Sequence, residues 1–434
     1  MAAQGFDYVI VGNSAAGVNA AAALREADPE GSVAVFTEED RLAYSRPLIS
    51  YLVAGEVDER RMVYRGVSFY RRLAVELFRG EKVLEIDYRR KRFRTSQRRA
   101  LAWKKLLLAT GSEPSVPPVP GLKEVPWKTF IGWDDARALL RATRHPGCRV
   151  LVMGAGLIGM KAAEAALARS ARVTVVEMMD RILPNALDAE ASRMVEERCR
   201  ERGMEVITGC KLMGIEPRGR GSGIAALDDG SEVGFDLLLV AAGVKPRLEL
   251  VGEGGPSVNR GILVDESLMT DLPGVYAAGD AAEAWDMVWE EPRVNALWPN
   301  ATLQGKYAGW NMAGRQAPYP GSLSMNSVEF FGLPVLSAGV VNPPDPSFRE
   351  MTEHFPDGTY KKVVIHNDRL VGMLVAGDIE RAGIYTSLIQ ERMPLRRLKG
   401  TLLSRSFGHV YLPQAVRRSR ILEGEAGIRA GRGA

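Results

Sequence analysis

Apolar and polar positions fall in blocks along this chain, and one order of blocks occurs twice. The run Tyr8-Val9-Ile10-Val11 stops at a glycine and is followed by an alanine-rich stretch. The spacing predicts a strand over 7–12, a helix over 15–27 and a second strand over 32–38 that ends in an acid. From Arg149 the order returns, with a strand over 149–154, a helix over 157–169 and a strand over 172–177. Between the two units, 41–80 reads as irregular and helical, and 82–108 as a small antiparallel meander. Leu106-Leu107-Leu108-Ala109-Thr110-Gly111 and, later, Leu238-Leu239-Val240-Ala241-Ala242-Gly243 are strands that stop at a glycine. Pro114, Pro117, Pro118 and Pro120 break both helix and sheet and mark a crossover between domains. Further on come a return strand over 274–280 and a helix over 300–313. A third segment, 323–412, has strands at 360–365 and 370–375 and a helix over 379–390.

Each repeated unit has the form of a nucleotide cradle. The loops are Gly12-Asn13-Ser14-Ala15-Ala16-Gly17 and Gly154-Ala155-Gly156-Leu157-Ile158-Gly159. Glycine lets the backbone turn tightly and approach a pyrophosphate, and the helix N-terminus supplies free N–H groups with a partial positive charge. The acid ending the second strand, Glu38 in the first unit and Glu177 in the second, suits a ribose 2′-hydroxyl. Ser14 stands where a second glycine is usual, which a small residue allows. Glu177 would repel the 2′-phosphate of NADP, so NAD(H) is the expected nicotinamide. Gly243 ends the strand beside this second loop and is placed at the NAD site. Two cradles in one chain imply two dinucleotides, and two dinucleotides imply electron transfer between them.

Composition narrows the class. At 46% hydrophobic and 25% charged residues, the chain reads as an ordinary globular protein of two to four domains. No apolar run spans a bilayer, and the N-terminus lacks the basic start of a signal peptide. A cytoplasmic protein without membrane contact is expected. Cys148, Cys199 and Cys210 show no CxxC spacing, so no disulfide framework, metal site or iron–sulfur cluster is expected on this chain. Residues 89–105 hold nine Lys or Arg and no acid. They read as a solvated hairpin or as a docking surface for an acidic partner. No nucleic-acid module accompanies them, so nucleic acid is not an expected partner. Residues 413–434 form an Arg- and Gly-rich tail.

These motifs together resemble the FAD-dependent pyridine nucleotide oxidoreductases. The resemblance implies an α/β chain with two Rossmann-like three-layer ββα dinucleotide-binding domains and a C-terminal α+β interface domain. The FAD domain would be discontinuous, 1–115 with 245–322; the NAD domain would cover 116–244 and the interface domain 323–412. In such proteins the first loop binds FAD, here through Gly12, Ser14, Ala15, Ala16, Gly17 and Glu38. The second binds NAD(H), here through Gly154, Gly156, Leu157, Ile158, Gly159 and Glu177. Ala109-Thr110-Gly111 resembles the family's ATG turn. Val275-Tyr276-Ala277-Ala278-Gly279-Asp280 resembles its second FAD signature, which gives Asp280 the flavin ribitol. Val83 matches a backbone contact to adenine. Trp298 and Pro299 precede a helix, beginning near Ala301, whose N-terminus would face the flavin.

Narrower likeness, in YVIVGNSAAGVNAA, Tyr44-Ser45-Arg46-Pro47-Leu48 and NALWPNATLQGKYAGWNMAG, is to the NADH:rubredoxin reductase and nitrite reductase flavodomain branch. It places Arg46 and Pro47 at the FAD. The same stretches resemble the NADH-linked FAD (epsilon) subunit of 2-oxoacid oxidoreductases of the phenylglyoxylate dehydrogenase type. Relatives that reduce disulfides or peroxide carry cysteine beside the flavin, yet the matching segment 42–55 here has none. An external iron–sulfur protein or subunit is therefore the expected electron partner, in a hetero-oligomeric complex or with a homodimer. A stand-alone rubredoxin or ferredoxin reductase and a non-catalytic flavoprotein sensor are the alternatives. Many relatives pair a lysine near the flavin with a glutamate after the NAD loop. Here those positions are Tyr51 and Lys161, and Lys161 is a candidate for charge stabilisation near the flavin, or else a residue of an exposed helix face.

Overall fold

The computed structural model describes residues 5–219, 221–398, 401–414 and 417–418. Most of the 413–434 tail lies outside these residues. The chain forms two compact units, one from residues up to 180 with 203–323, the other from 181–202 with 324 onward.

The first unit holds both cradles, each on its own sheet. A seven-stranded sheet runs in the order Val75–Arg79, Val33–Thr37, Gly5–Val11, Ala100–Leu108, Arg92–Thr95, Val83–Asp87, with Val275–Ala277 also paired to Ala100–Leu108. The pairings among the central strands are parallel, and their residues Val9, Ile10 and Leu106–Leu108 are essentially inaccessible. Burial on both faces explains why these segments read as unbroken apolar runs rather than alternations. The helix Ala15–Ala27 lies against a second helix, Trp298–Met312. A Cβ at Gly305 would stand 2.1 Å from the Ala16 carbonyl oxygen, so only glycine permits that approach.

The second sheet is parallel throughout, in the order Glu205–Ile207, Arg172–Val176, Arg149–Met153, Leu237–Val240, Trp127–Lys128. Two crossing segments join it to the first. Ser112–Pro114, at the head of the proline-rich link, pairs antiparallel with Val244–Pro246 on the way back. Val75–Arg79 is a strand inside a stretch whose pattern suggested only helix and loop. It is an edge strand with half-exposed residues, held by its pairing to Val33–Thr37.

Four of the nine cations in the basic meander are ion-paired within the unit. Arg90 pairs with Asp87 (3.6 Å), Arg94 with Glu85, Arg99 with Glu81 (3.4 Å) and Lys104 with Asp7 (2.6 Å). These carboxylates come from outside 89–105, which is why the local count exaggerated the charge.

The second unit is built on an antiparallel five-stranded sheet, in the order Met325–Phe330, Leu333–Gly339, Arg369–Ala376, Tyr360–His366, Arg349–His354. The helix Ala189–Glu201 packs here, although its sequence position lies within 116–244. Asp188 caps it and also accepts from the Tyr360 hydroxyl at 2.7 Å. The buried ammonium of Lys362 stands 3.3 Å from the same carboxylate. Among the described residues, no helix is long and apolar enough to cross a membrane.

Candidate functional site: two cradles on one unit

The first loop adopts a shape that its residues require. Gly12 has φ +118°, and a Cβ there would lie 2.0 Å from the Ala109 carbonyl oxygen. A Cβ on Gly17 would lie 1.9 Å from the Gly12 carbonyl oxygen, so Gly17 seats the helix on the strand. Ser14, the departure from the motif, is the N-cap residue with an extended backbone (φ −110°) open to any side chain. Its side chain makes no capping bond, so N–H groups of the first turn stay available to an anion.

A cleft opens over this loop. Of the residues expected at FAD, it is lined by Gly12, Ser14, Ala15, Ala16, Glu38, Arg46, Val83, Ala109, Thr110, Gly111 and Asp280. Asp280 accepts a hydrogen bond from the Ser112 hydroxyl at 2.7 Å. Burial pushes its carboxyl above the usual range, against the opposing pull of Ser112 and Arg46. The neighbouring Gly279 N–H donates to the buried Gln304 side chain (2.7 Å), which fixes the turn.

Residues that the motifs did not reveal make up the rest of the cleft. Ile131–Asp135 lie on its rim, held by two bonds: Arg46 Nη1 donates to the Ile131 carbonyl (2.9 Å) and the Trp133 N–H donates to the Tyr44 hydroxyl (3.1 Å). Burial pushes the Tyr44 hydroxyl up to about 12, so it stays a neutral acceptor here. Asn13 in the loop accepts from the Tyr70 hydroxyl at 2.8 Å. Lys82, Arg247 and Glu249 close the end where Glu38 stands. These contacts span up to 209 residues of sequence, and no local pattern encodes them.

Three expected FAD residues lie off the cleft lining. Gly17 acts beneath the loop, as described. Pro47 is exposed in the short turn Arg46–Leu48. Trp298 belongs to the first turn of its helix, which starts earlier than 301, and its ring meets Tyr64 edge-on at 5.5 Å.

The second loop repeats the backbone of the first. Gly154 has φ +105°, with a Cβ position 2.4 Å from the Ala241 carbonyl oxygen, and Gly159 would clash with Gly154 at 1.9 Å. Gly156 is the N-cap, followed by Leu157 and Ile158 in the first turn. Glu177 is buried, and both its oxygens accept from backbone N–H groups: Ala155 at 2.7 Å and Met179 at 2.8 Å. Met178 and Met179 beside it are exposed, and Gly243 (φ +102°) has open space where a side chain would stand.

The helix Ile49–Ala54, which follows the first cradle in sequence, packs on Leu157–Ala168, the helix of the second. There Lys161 Nζ lies 5.2 Å over the Tyr51 ring and is ion-paired with Glu164. Lys161 is therefore not on an open helix face; its side chain is only 20% exposed. Neither residue is among those lining the cleft.

No cysteine lines the cleft. Burial raises the thiols of Cys148 and Cys210, which reduces their thiolate character, and Cys199 is buried in the second unit.

Comparison with known proteins agrees with this geometry. Residues 6–305 match the pyridine nucleotide-disulphide oxidoreductase family, and 325–393 match the rubredoxin NAD+ reductase C-terminal domain. The NADH-dependent phenylglyoxylate dehydrogenase subunit epsilon of Aromatoleum evansii is 32% identical over 402 residues, covering 92% of this chain and 94% of that one. A rubredoxin–NAD(+) reductase of Ectopseudomonas oleovorans is 29% identical and covers 72% and 81%. The NADH-bound water-forming NADH oxidase of Lactobacillus brevis shares the fold with a TM-score of 0.85 at 21% identity, over 98% and 100% of the two chains. The chain thus belongs to the pyridine nucleotide-disulphide oxidoreductase family, as an oxidoreductase that uses FAD and NAD(H).

Proposed function

We propose that this chain exchanges electrons between NAD(H) and an external iron–sulfur protein or subunit, as the NAD-reactive subunit of a 2-oxoacid oxidoreductase of the phenylglyoxylate dehydrogenase type. The observation that carries the reading is a cleft over the first glycine loop with no cysteine among its lining residues. Disulfide and peroxide chemistry need such a thiol beside the flavin. FAD itself supplies the exchange between a two-electron hydride and single electrons. The cleft fits that group: Gly12 lets the loop turn tightly against the Ala109 carbonyl, the first helix turn offers N–H groups without a side-chain cap, and the half-buried Asp280 stands at the cleft wall where it can accept from a hydroxyl.

The chain's own residues hold and orient. We assign the pyrophosphate of FAD to Gly12–Gly17 and its ribitol to Asp280. NAD(H) is assigned to Gly154–Gly159, with Glu177 taking the ribose hydroxyls. Lys161 and Tyr51 stand where Ile49–Ala54 packs on the helix of the second cradle, and we place the meeting of nicotinamide and flavin near that contact. Their place there supports a role for Lys161 in favouring negative charge on the ring. Residues 1–115 with 245–322 then form the FAD domain, 116–244 the NAD domain, and 323–412 an interface domain.

Purification from the native host, with subunit and iron analysis, tests the partner. A stable complex with iron-bearing subunits is expected. A lone chain that passes electrons from NADH to rubredoxin supports the stand-alone reductase instead, the reading favoured by the match of residues 325–393. Flavin that NADH fails to bleach under anaerobic conditions overturns both.

A further inference from the structure

We propose that Arg247, with Lys82 and Glu249, forms a clasp on the adenosine end of the FAD cleft that holds Glu38 in place and makes the site select FAD over FMN. The inference rests on the assignment of the cleft to FAD. Glu38 ends its strand in the position expected to meet a ribose. Its two oxygens face two cations: Arg247 Nη1 donates to Oε1, and Lys82 Nζ stands 3.6 Å from Oε2. Lys82 in turn pairs with Glu249 at 2.9 Å. All four residues line the cleft.

The clasp is anchored by backbone as well. The Arg247 N–H donates to the Gly111 carbonyl (3.0 Å), and the Arg247 carbonyl accepts from the Thr110 hydroxyl (3.0 Å). Arg247 is thus fixed to the turn at one wall while its guanidinium reaches the acid at the other. Its Nε is buried, with no hydrogen-bond partner among the described residues.

The arrangement suits binding better than folding. These side chains are partly exposed, and exposed ion pairs add little to stability. A carboxylate oxygen has more than one acceptor site, so Glu38 keeps lone pairs for a diol while its orientation is held. Ordering it in advance removes an entropic cost that binding would otherwise carry. Only a ligand with an adenosine ribose gains from this; FMN carries ribitol and no ribose.

The test strips flavin from the holoprotein and retitrates with FAD and, separately, FMN, following flavin fluorescence. In Arg247→Ala, FAD affinity should fall by on the order of tenfold while FMN affinity is unchanged. Arg247→Lys should recover part of the loss. FAD release from the diluted holoprotein should accelerate to match. Equal weakening of FAD and FMN means general damage and overturns the clasp. So does unchanged FAD affinity. A wild-type apoprotein that takes neither flavin would instead overturn the FAD site itself.

Discussion

The two cradles share a backbone and differ in how each holds its acid. In both, the first glycine has a positive φ, and a Cβ on the last would stand 1.9 Å from the first glycine's carbonyl oxygen. In the first, Glu38 is held by side chains from Lys82 and Arg247, brought from far along the sequence. Burial works against its charge, yet Arg247 and Lys82 keep the carboxyl below the usual range. In the second, Glu177 is held by backbone N–H groups of its own loop and of the residue two positions on. The first cradle carries residues 131–135 on its rim, whereas the second is flanked by exposed methionines. One motif is thus anchored in two ways, by side chains from distant segments in the first site and by local backbone in the second.

Substitutions in the glycines should separate the two roles most sharply. Gly12→Ala should cost roughly 100-fold in FAD affinity, because both its φ and its space are wrong for a side chain. Gly154→Ala should leave flavin content intact and slow anaerobic reduction by NADH by about as much. Loss of flavin in both variants would break the comparison.

Replacement of the second acid should have a smaller effect. Glu177→Ala is expected to raise KM for NADH about tenfold and to narrow the preference over NADPH. Comparable wild-type turnover with low concentrations of both nucleotides would remove the assigned role. At the contact of Ile49–Ala54 with the second cradle's helix, Lys161→Met should slow flavin reduction by several-fold, on the order of 1 kcal/mol, with NADH affinity little changed. Unchanged reduction kinetics would make Lys161 a packing residue between Tyr51 and Glu164.

The smallest effect concerns Asp280, a half-buried acid on the first cleft. Its folded-state pKa lies above the ordinary value, so the folded apoprotein binds the proton more tightly than the unfolded chain. Stability should therefore decline as pH rises from the ordinary aspartate range through that raised value. Asp280→Asn should raise the apoprotein's Tm near pH 7 by about 2 °C, lose that advantage at low pH where both forms are uncharged, and bind FAD more weakly. A lower Tm at pH 7 would contradict the burial argument.

Much of this was legible in the sequence because it is local. A strand, a glycine loop, a helix and a distal acid occupy one short stretch, and their spacing records the backbone geometry directly. The ATG turn, Asp280 and the cysteine-free segment 42–55 were visible for the same reason. The basic run was legible as composition, whereas its partial neutralisation was not, since Asp7, Glu81 and Glu85 lie outside it. Lys161 and Tyr51 were each identifiable, whereas their contact was not. The helix after Trp298 was read as beginning near Ala301, about one turn too late, since Trp298 itself begins it.

The sequence by itself determined the two cradles and the cysteine-free segment 42–55, since each depends on residue type at short spacing, and the resemblance those motifs carry supplied FAD and NAD(H). The tertiary structure alone decided which distant side chains close each site. Arg247 reaches Glu38, and residues 131–135 reach Arg46 and Tyr44, only when separate segments fold onto one unit. A pattern along the chain records what each residue is to its neighbours, whereas the clasp and the rim depend on what the fold brings within hydrogen-bonding distance.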